Sequence, residues 1–229
     1  MNSIRTLIFP GLDGTTDLLW DFCDTASDEY DPVPIELPNG ISSYEDLVEL
    51  LSDELDDGIK TLIVAESFSG PLALMLASNY PDTVVGVVLV ASFVTSPIGW
   101  FTSMLPWKFL FGLPLPKWVA RRYFLGRRAN IELTDQFKLS IRDAPTHILA
   151  GRMRQIARID VRGELKTIPC PILYVEAARD RLVDEENVKE IQELRPDVSS
   201  AEVDGSHLLL ATRPEQVCNS IDEFVQARI

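Results

Sequence analysis

The run Val84-Val-Gly-Val-Val-Leu-Val-Ala91 constrains the fold more than any other stretch of this chain. It is apolar on both alternating faces and mostly β-branched, so as a strand it has no side to give to water and needs helices over both faces. That requirement predicts a parallel sheet. Comparable apolar runs occupy residues 4–9, 61–65 and 171–177, with strand signals at 33–37 and 199–203. Helical patterns alternate with them. Ser42 or Ser43 can cap a helix with Glu45 and Asp46 in its first turn and Leu47, Leu50, Leu51 and Leu55 on one face, running to Gly58. Leu72, Leu74, Met75 and Leu76 belong to a helix so apolar that it must be buried. Further helices follow from Asp184 to Leu194 and from Pro214 onward. The reading is an α/β fold: a doubly wound, mostly parallel sheet of about six strands, in one domain of 229 residues.

The alternation breaks once. Residues 92–166 are rich in Trp, Phe, Pro and Arg and contain no clear strand. They are read as a helical insertion, dividing the chain into a core of residues 1–95 and 164–229 and a helical cap or lid over 96–163. From Thr83 to Gly163 there are twelve Lys or Arg against four Asp or Glu, whereas the whole chain carries a formal net charge of -14. That overall balance argues against a nucleic-acid partner. The opening apolar run stops at Pro10, too brief for an export signal, and no stretch reaches the ~18 apolar residues of a membrane span. Cys23, Cys170 and Cys218 have neither disulfide-framework nor zinc spacing. A cytoplasmic protein with no metal and no organic cofactor is expected, its oligomeric state open.

Chemistry enters at Ala65-Glu66-Ser67-Phe68-Ser69-Gly70, which joins an apolar strand to an apolar helix. A serine at such a turn can simply cap the helix. It can also stand clear of the sheet as a nucleophile, which needs a base beside it and donors for an oxyanion. Where the turn is sharp, the residues two before and two after the serine approach each other and must be small, as Ala65 and Ser69 are. The motif resembles the nucleophile elbow of the α/β-hydrolase family, whose commoner form has Gly at both flanks.

The resemblance implies a serine, an acid and a histidine in that chain order, with the histidine after the last strand. His207, in Asp-Gly-Ser-His-Leu-Leu-Leu, has that place; the only other histidine, His147, follows Pro145 at the start of a helical stretch. Asp180, after the strand Pro-Ile-Leu-Tyr-Val-Glu-Ala-Ala, resembles the family's acid-bearing loop and would orient His207. Its rival Asp184 reads as an N-cap. Phe9-Pro-Gly-Leu-Asp-Gly14 resembles the family's His-Gly-x-x-Gly loop. On that likeness the backbone N–H groups of Leu12 and Phe68 would form the oxyanion hole. The chain would be a compact, six-stranded relative, matched everywhere but in the insertion.

The insertion bears on substrate. No Asp or Glu occurs between Thr83 and Ile131, while Trp100, Phe101, Trp107, Phe109, Phe111, Trp118, Tyr123 and Phe124 crowd together. Either these residues pack a cap, or some of them, with Trp100, Trp107, Phe109 and Trp118 as candidates, line a pocket for a hydrophobic acyl group. Lys108, Lys117, Arg121, Arg122, Arg127 and Arg128 are a solvated face, or meet a phosphate-bearing leaving group such as coenzyme A, or a phospholipid surface. The leading expectation is a serine esterase or thioesterase acting on a small hydrophobic acyl ester or thioester. Alternatives on the same fold are a carbon–carbon bond hydrolase, a lipid acyltransferase and a non-catalytic ligand-binding protein. Glu66 is either a solvated or hydrogen-bonded turn residue or a group that tunes His207.

Overall fold

The computed structural model describes residues 4–26, 30–127 and 129–229, so the first three residues of the opening run and Arg128 lie outside the described residues. In chain order its main elements are β1 (Ile4–Phe9), α1 (Trp20–Ala26), β2 (Tyr30–Pro34), α2 (Tyr44–Leu51), β3 (Thr61–Glu66), α3 (Ser69–Asn79) and β4 (Val84–Val90). After β4 come α4 (Trp107–Phe111), α5 (Lys117–Val119), α6 (Ile131–Asp143), α7 (Thr146–Ile156) and α8 (Arg162–Thr167). The chain then returns through β5 (Ile172–Ala177), α9 (Glu185–Leu194), β6 (Ser199–Val203), α10 (Leu209–Thr212) and α11 (Pro214–Arg228).

The strands form one sheet in the order β2-β1-β3-β4-β5-β6, every pair parallel. Alternation along the strands splits the core into two. Leu7, Phe9, Ile63, Ala65, Val87, Leu89, Ile172 and Tyr174 point to the face covered by α2, α3, α8 and α9. Ile8, Leu62, Val64, Val88, Val90, Leu173 and Val175 point to the face covered by α1, α10 and α11. Both faces are thus dry, as the β-branched runs require.

Three local readings shift. The second strand lies at Tyr30–Pro34 rather than 33–37. It is an edge strand, and Pro32 and Pro34, which lack an N–H to donate, are tolerated there. Helix α2 stops at Leu51 and gives way to a 3-10 turn over Ser52–Glu54, where the Ser52 hydroxyl donates back to the Val48 carbonyl. Its cap is Ser43, which accepts from the Asp46 N–H. Helix α1 has no counterpart in the sequence reading.

Between β4 and β5 the described residues contain helices and turns but no strand of the sheet. The segment leaves and rejoins the core at one point, where Thr95 bridges Asp160 and the Val161 N–H donates to the Val94 carbonyl at 2.9 Å. Strand order reverses between β1 and β3, since the chain moves outward to β2 and then returns to the other side of β1. In doubly wound sheets the crevice at such a reversal, above the strands' C-terminal ends, is where ligands bind. The loops after β1 and β3 open there.

Because β4 is covered on both faces, shortening one of its side chains leaves a cavity that cannot fill with water. Leu89→Ala is expected to lower unfolding free energy by about 2–5 kcal/mol in urea titration. Ile59→Ala, at an exposed position, is expected to shift it by no more than about 0.5 kcal/mol. Equal losses would contradict the two-sided burial of β4.

Candidate active site

Ser67 follows the last residue of β3 with φ of 54°, in the left-handed region that costs an L-residue about 1–2 kcal/mol. Several contacts hold it there. Its N–H donates to the Val90 carbonyl at 2.9 Å, and its own carbonyl accepts from the Ser92 hydroxyl at 2.7 Å. Gly70 packs so tightly beneath that a Cβ on it would lie 1.8 Å from Ser92 Oγ. The small flanks Ala65 and Ser69 are fully buried. Ser69 does more than fit: its hydroxyl donates to the Pro10 carbonyl at 2.5 Å and ties the turn to the loop after β1.

Two side chains from other loops meet Ser67. His207, after β6, places Nε2 2.7 Å from Ser67 Oγ and Nδ1 2.8 Å from Asp180 Oδ2. Asp180 lies after β5, and its second oxygen accepts from the N–H groups of Leu182 at 2.8 Å and Val183 at 3.2 Å. The carboxylate is therefore fixed by backbone while it orients the imidazole. Asp184 instead caps α9, accepting from the Glu186 N–H. His147 is exposed in the first turn of α7 and takes no part in this chain of hydrogen bonds.

Around the serine, neither the Leu12 nor the Phe68 N–H has a hydrogen-bond partner among the described residues. Both flank the turn, Leu12 through the loop that Ser69 grips and Phe68 as the next residue. Both residues are contacted by a side chain that the sequence alone did not single out. Arg152, on α7, is fully buried and donates to the carbonyls of Leu12 (2.9 Å), Leu37 (3.4 Å), Pro38 (3.1 Å) and Ile41 (3.3 Å). Its guanidinium also lies over the Phe68 ring, 5.6 Å from the centroid, and that ring stacks on Tyr44, whose hydroxyl donates to the Phe68 carbonyl. Burial lowers the Arg152 pKa to about 10, which leaves the group charged at neutral pH. In sequence it is one of many arginines of the insertion.

A cavity of about 400 Å³ opens over Ser67 and His207. Its walls are apolar, with Leu18, Phe93, Ile98, Leu110, Phe111, Phe124, Phe137, Ile141, Met153 and Ile156 prominent. Of the four aromatic candidates only Trp107 lines it. Trp100, Phe109 and Trp118 are instead 70%, 67% and 66% exposed. The short helix α4 has two sides: Trp107, Leu110 and Phe111 line the cavity, while Phe109 points to solvent. Among the described residues no group of three or more His, Cys, Asp or Glu gathers to hold a metal ion, and no helix is long and apolar enough to cross a membrane.

Residues 7–220 match the model of the alpha/beta hydrolase family. Solved structures with the same fold include an enol-lactonase from Burkholderia xenovorans, at 16% identity and a TM-score of 0.79, covering 99% of this chain and 92% of the other. A thermophilic esterase from Thermogutta terrifontis superposes with a TM-score of 0.80 at 18% identity, covering 98% and 90%. A putative lipase from Acinetobacter baumannii gives 0.77 at 19%, covering 98% and 84%. No curated protein matches the chain.

Glu66, beside Ser67, is not solvated. It is buried, lines the cavity, and accepts from the Leu210 N–H at 3.0 Å, which ties β3 to the turn carrying His207. Burial raises its pKa from 4.5 to about 7, against the opposing pull of that hydrogen bond and of His207, while Asp13 adds to the rise. The folded protein thus keeps a proton that the unfolded chain gives up above pH 4.5, and stability falls as pH rises from there toward 7. Glu66→Gln keeps an acceptor and removes the titration. The stability advantage of the variant is expected to grow to about 3 kcal/mol by about pH 7. Urea midpoints measured across this range test it; a constant difference between the two proteins would refute it.

Proposed function

The chain belongs to the alpha/beta hydrolase family, and on that premise we propose that it is a serine hydrolase cleaving an ester or thioester of a hydrophobic acyl group. The observation that carries this reading is the unbroken line of hydrogen bonds from Ser67 Oγ through His207 to Asp180. His207 Nε2 takes the Ser67 proton as Oγ attacks the acyl carbon. The two free N–H groups, of Leu12 and Phe68, receive the oxyanion that forms. The proton passes from His207 to the leaving group, and water, deprotonated by the same imidazole, then releases the acyl group from Ser67. Asp180 holds the imidazole in the required tautomer, with Nδ1 carrying the proton it donates. The chemistry as proposed uses no metal and no organic cofactor.

Residues 96–163 act as a lid over a core made of residues 1–95 and 164–229. The narrow attachment at Thr95 and Asp160 supports this division, as do the cavity residues drawn from the segment. Its outer surface carries Trp100, Phe101, Met104, Phe109 and Trp118 exposed, together with Lys108, and supports peripheral contact with a membrane surface. The three free, buried thiols support residence in a reducing compartment, the cytoplasm.

A fluorophosphonate probe is expected to label the wild type and not Ser67→Ala; undiminished labelling of the variant would remove the nucleophile assignment. Asp180→Asn is expected to lower kcat by about 10⁴-fold, because the amide favours the wrong tautomer of His207. The apolar cavity makes a second prediction, on p-nitrophenyl esters of increasing chain length. Each added methylene that enters it is worth about 0.8 kcal/mol, or about fourfold in kcat/KM, until the cavity is full. A profile that is flat from acetate to hexanoate would argue against an acyl site there.

A further inference from the structure

A second cavity, of about 820 Å³, lies against the first and differs from it in character. Six arginines line it: Arg121, Arg122, Arg127, Arg179, Arg181 and Arg213. Three carboxylates oppose them, Asp17, Asp21 and Glu132, so the cavity is locally cationic in a chain of net charge -14. Leu18 belongs to the walls of both cavities. At three places consecutive residues divide between them, Leu125, Arg181 and Ser206 facing the arginine cavity and Phe124, Leu182 and His207 the apolar one. The arginine-bearing segment is also locked to the histidine loop. The Leu208 N–H donates to the Phe124 carbonyl at 3.0 Å, and a Cβ on Gly126, which has φ of 85°, would lie 2.9 Å from Ser206 Oγ.

The arginines divide by what they already bind. Arg179 pairs with Asp204, and Arg213 donates to the Asp204 and Thr212 carbonyls. Arg121 braces the loop through the carbonyls of Arg127 and Ala129, while its Nε is buried without a partner. Arg122, Arg127 and Arg181 make no hydrogen bond or ion pair with another described residue. Arg127, Arg181, Arg122 with its guanidinium 5.8 Å from the centroid of the Tyr123 ring, and the orphaned buried Nε of Arg121 form around one concavity a set of donors suited to phosphate oxygens, which guanidinium groups bind in pairs.

We propose that this cavity takes the phosphate-bearing leaving group of the substrate while the acyl chain occupies the apolar cavity, so that the scissile carbonyl sits between them at Ser67. The inference rests on the hydrolase reading given above and adds a substrate class to it. Ser67 Oγ bonds to the acyl carbon, the bond from that carbon to the leaving sulfur or oxygen breaks, and the Ser67 proton reaches the leaving atom by way of His207 Nε2. Water then hydrolyses the acyl-enzyme and restores the serine hydroxyl.

Two matched pairs test the proposal and separate its two possible sources of phosphate. One is butyryl-4′-phosphopantetheine against butyryl-pantetheine, the same thioester without phosphate. The other is a monoacylglycerol phosphate against the monoacylglycerol of the same chain. In one pair the phosphorylated member is expected to have the higher kcat/KM by about tenfold or more, the worth of one charge-assisted hydrogen bond. Arg127→Glu combined with Arg181→Glu, both at exposed positions, is expected to bring that ratio down toward one, as is added salt. Equal kcat/KM within both pairs, or a ratio unmoved by the double variant, would overturn the inference. Fluorophosphonate labelling of Ser67, run alongside, keeps the readings apart: labelled protein without phosphate preference defeats this inference alone, and unlabelled protein defeats the hydrolase reading itself.

Discussion

The left-handed backbone at Ser67 is the constraint around which the site is assembled. A serine at φ of 54° does not persist unless its surroundings forbid relaxation, and here they do so from two directions. Strand β4 fixes the turn from below through the Val90 carbonyl and the Ser92 hydroxyl, the latter wedged against Gly70. The loop after β1 fixes it from the side through Ser69 and Pro10. Both anchors depend on β1, β3 and β4 being adjacent and dry, which follows from their apolar alternation. A turn of this kind on an exposed strand would have water as an alternative partner for each of these groups.

Charge organises the next layer. Arg152 reaches from α7 into the core and gathers four carbonyls, among them that of Leu12, so the loop presenting a free N–H beside Ser67 is held by a residue outside the sheet. An ion so deeply buried is tolerated because it donates to four carbonyls, of which that of Pro38 also accepts from the Ile41 N–H. Asp13, also buried, interacts favourably with Arg152, although burial still raises its own pKa. Glu66 completes the arrangement through Leu210. The loop after β1, the turn at Ser67 and the loop carrying His207 are therefore each joined to a neighbour by a buried polar contact rather than by packing alone.

The sequence was legible where burial is two-sided and local. Runs such as Thr61–Ala65 and Val84–Val90 admit few other structures, and the strands they predict lie within a residue or so of their observed ends. Ser67, Asp180 and His207 could be named from the resemblance to the family's motifs and their chain order, with only two histidines to choose between; Ser67 and Asp180 follow buried strands, whereas His207 follows the half-exposed edge strand β6. Edge strand β2 and helix α1 were misplaced or missed for the opposite reason. Pro32 and Pro34 blur the first, and Trp20 at the start of α1 faces solvent, so the apolar period is weak. Glu66 and Arg152 were opaque for a deeper reason. Nothing in the letters around a charged residue says that it is buried; that depends on which distant carbonyl or N–H the fold brings to it. The exposed aromatics Trp100, Phe109 and Trp118 are the converse case, since composition predicts burial that their side of a short turn denies them.

The uneven charge of the chain acquires a structural meaning from these contacts. The segment between β4 and β5 supplies Arg152 to the loop after β1 and Arg121, Arg122 and Arg127 to the polar cavity, while Asp13, Glu66 and Asp180 lie at or after the C-terminal ends of the strands. Arg152 interacts favourably with Asp13, and the other three arginines share the polar cavity with Asp17, Asp21 and Glu132. The walls of the 400 Å³ cavity beside Ser67 are by contrast mostly apolar. Apolar groups gain by leaving water for such a wall, which gives the proposed hydrophobic acyl group its place there.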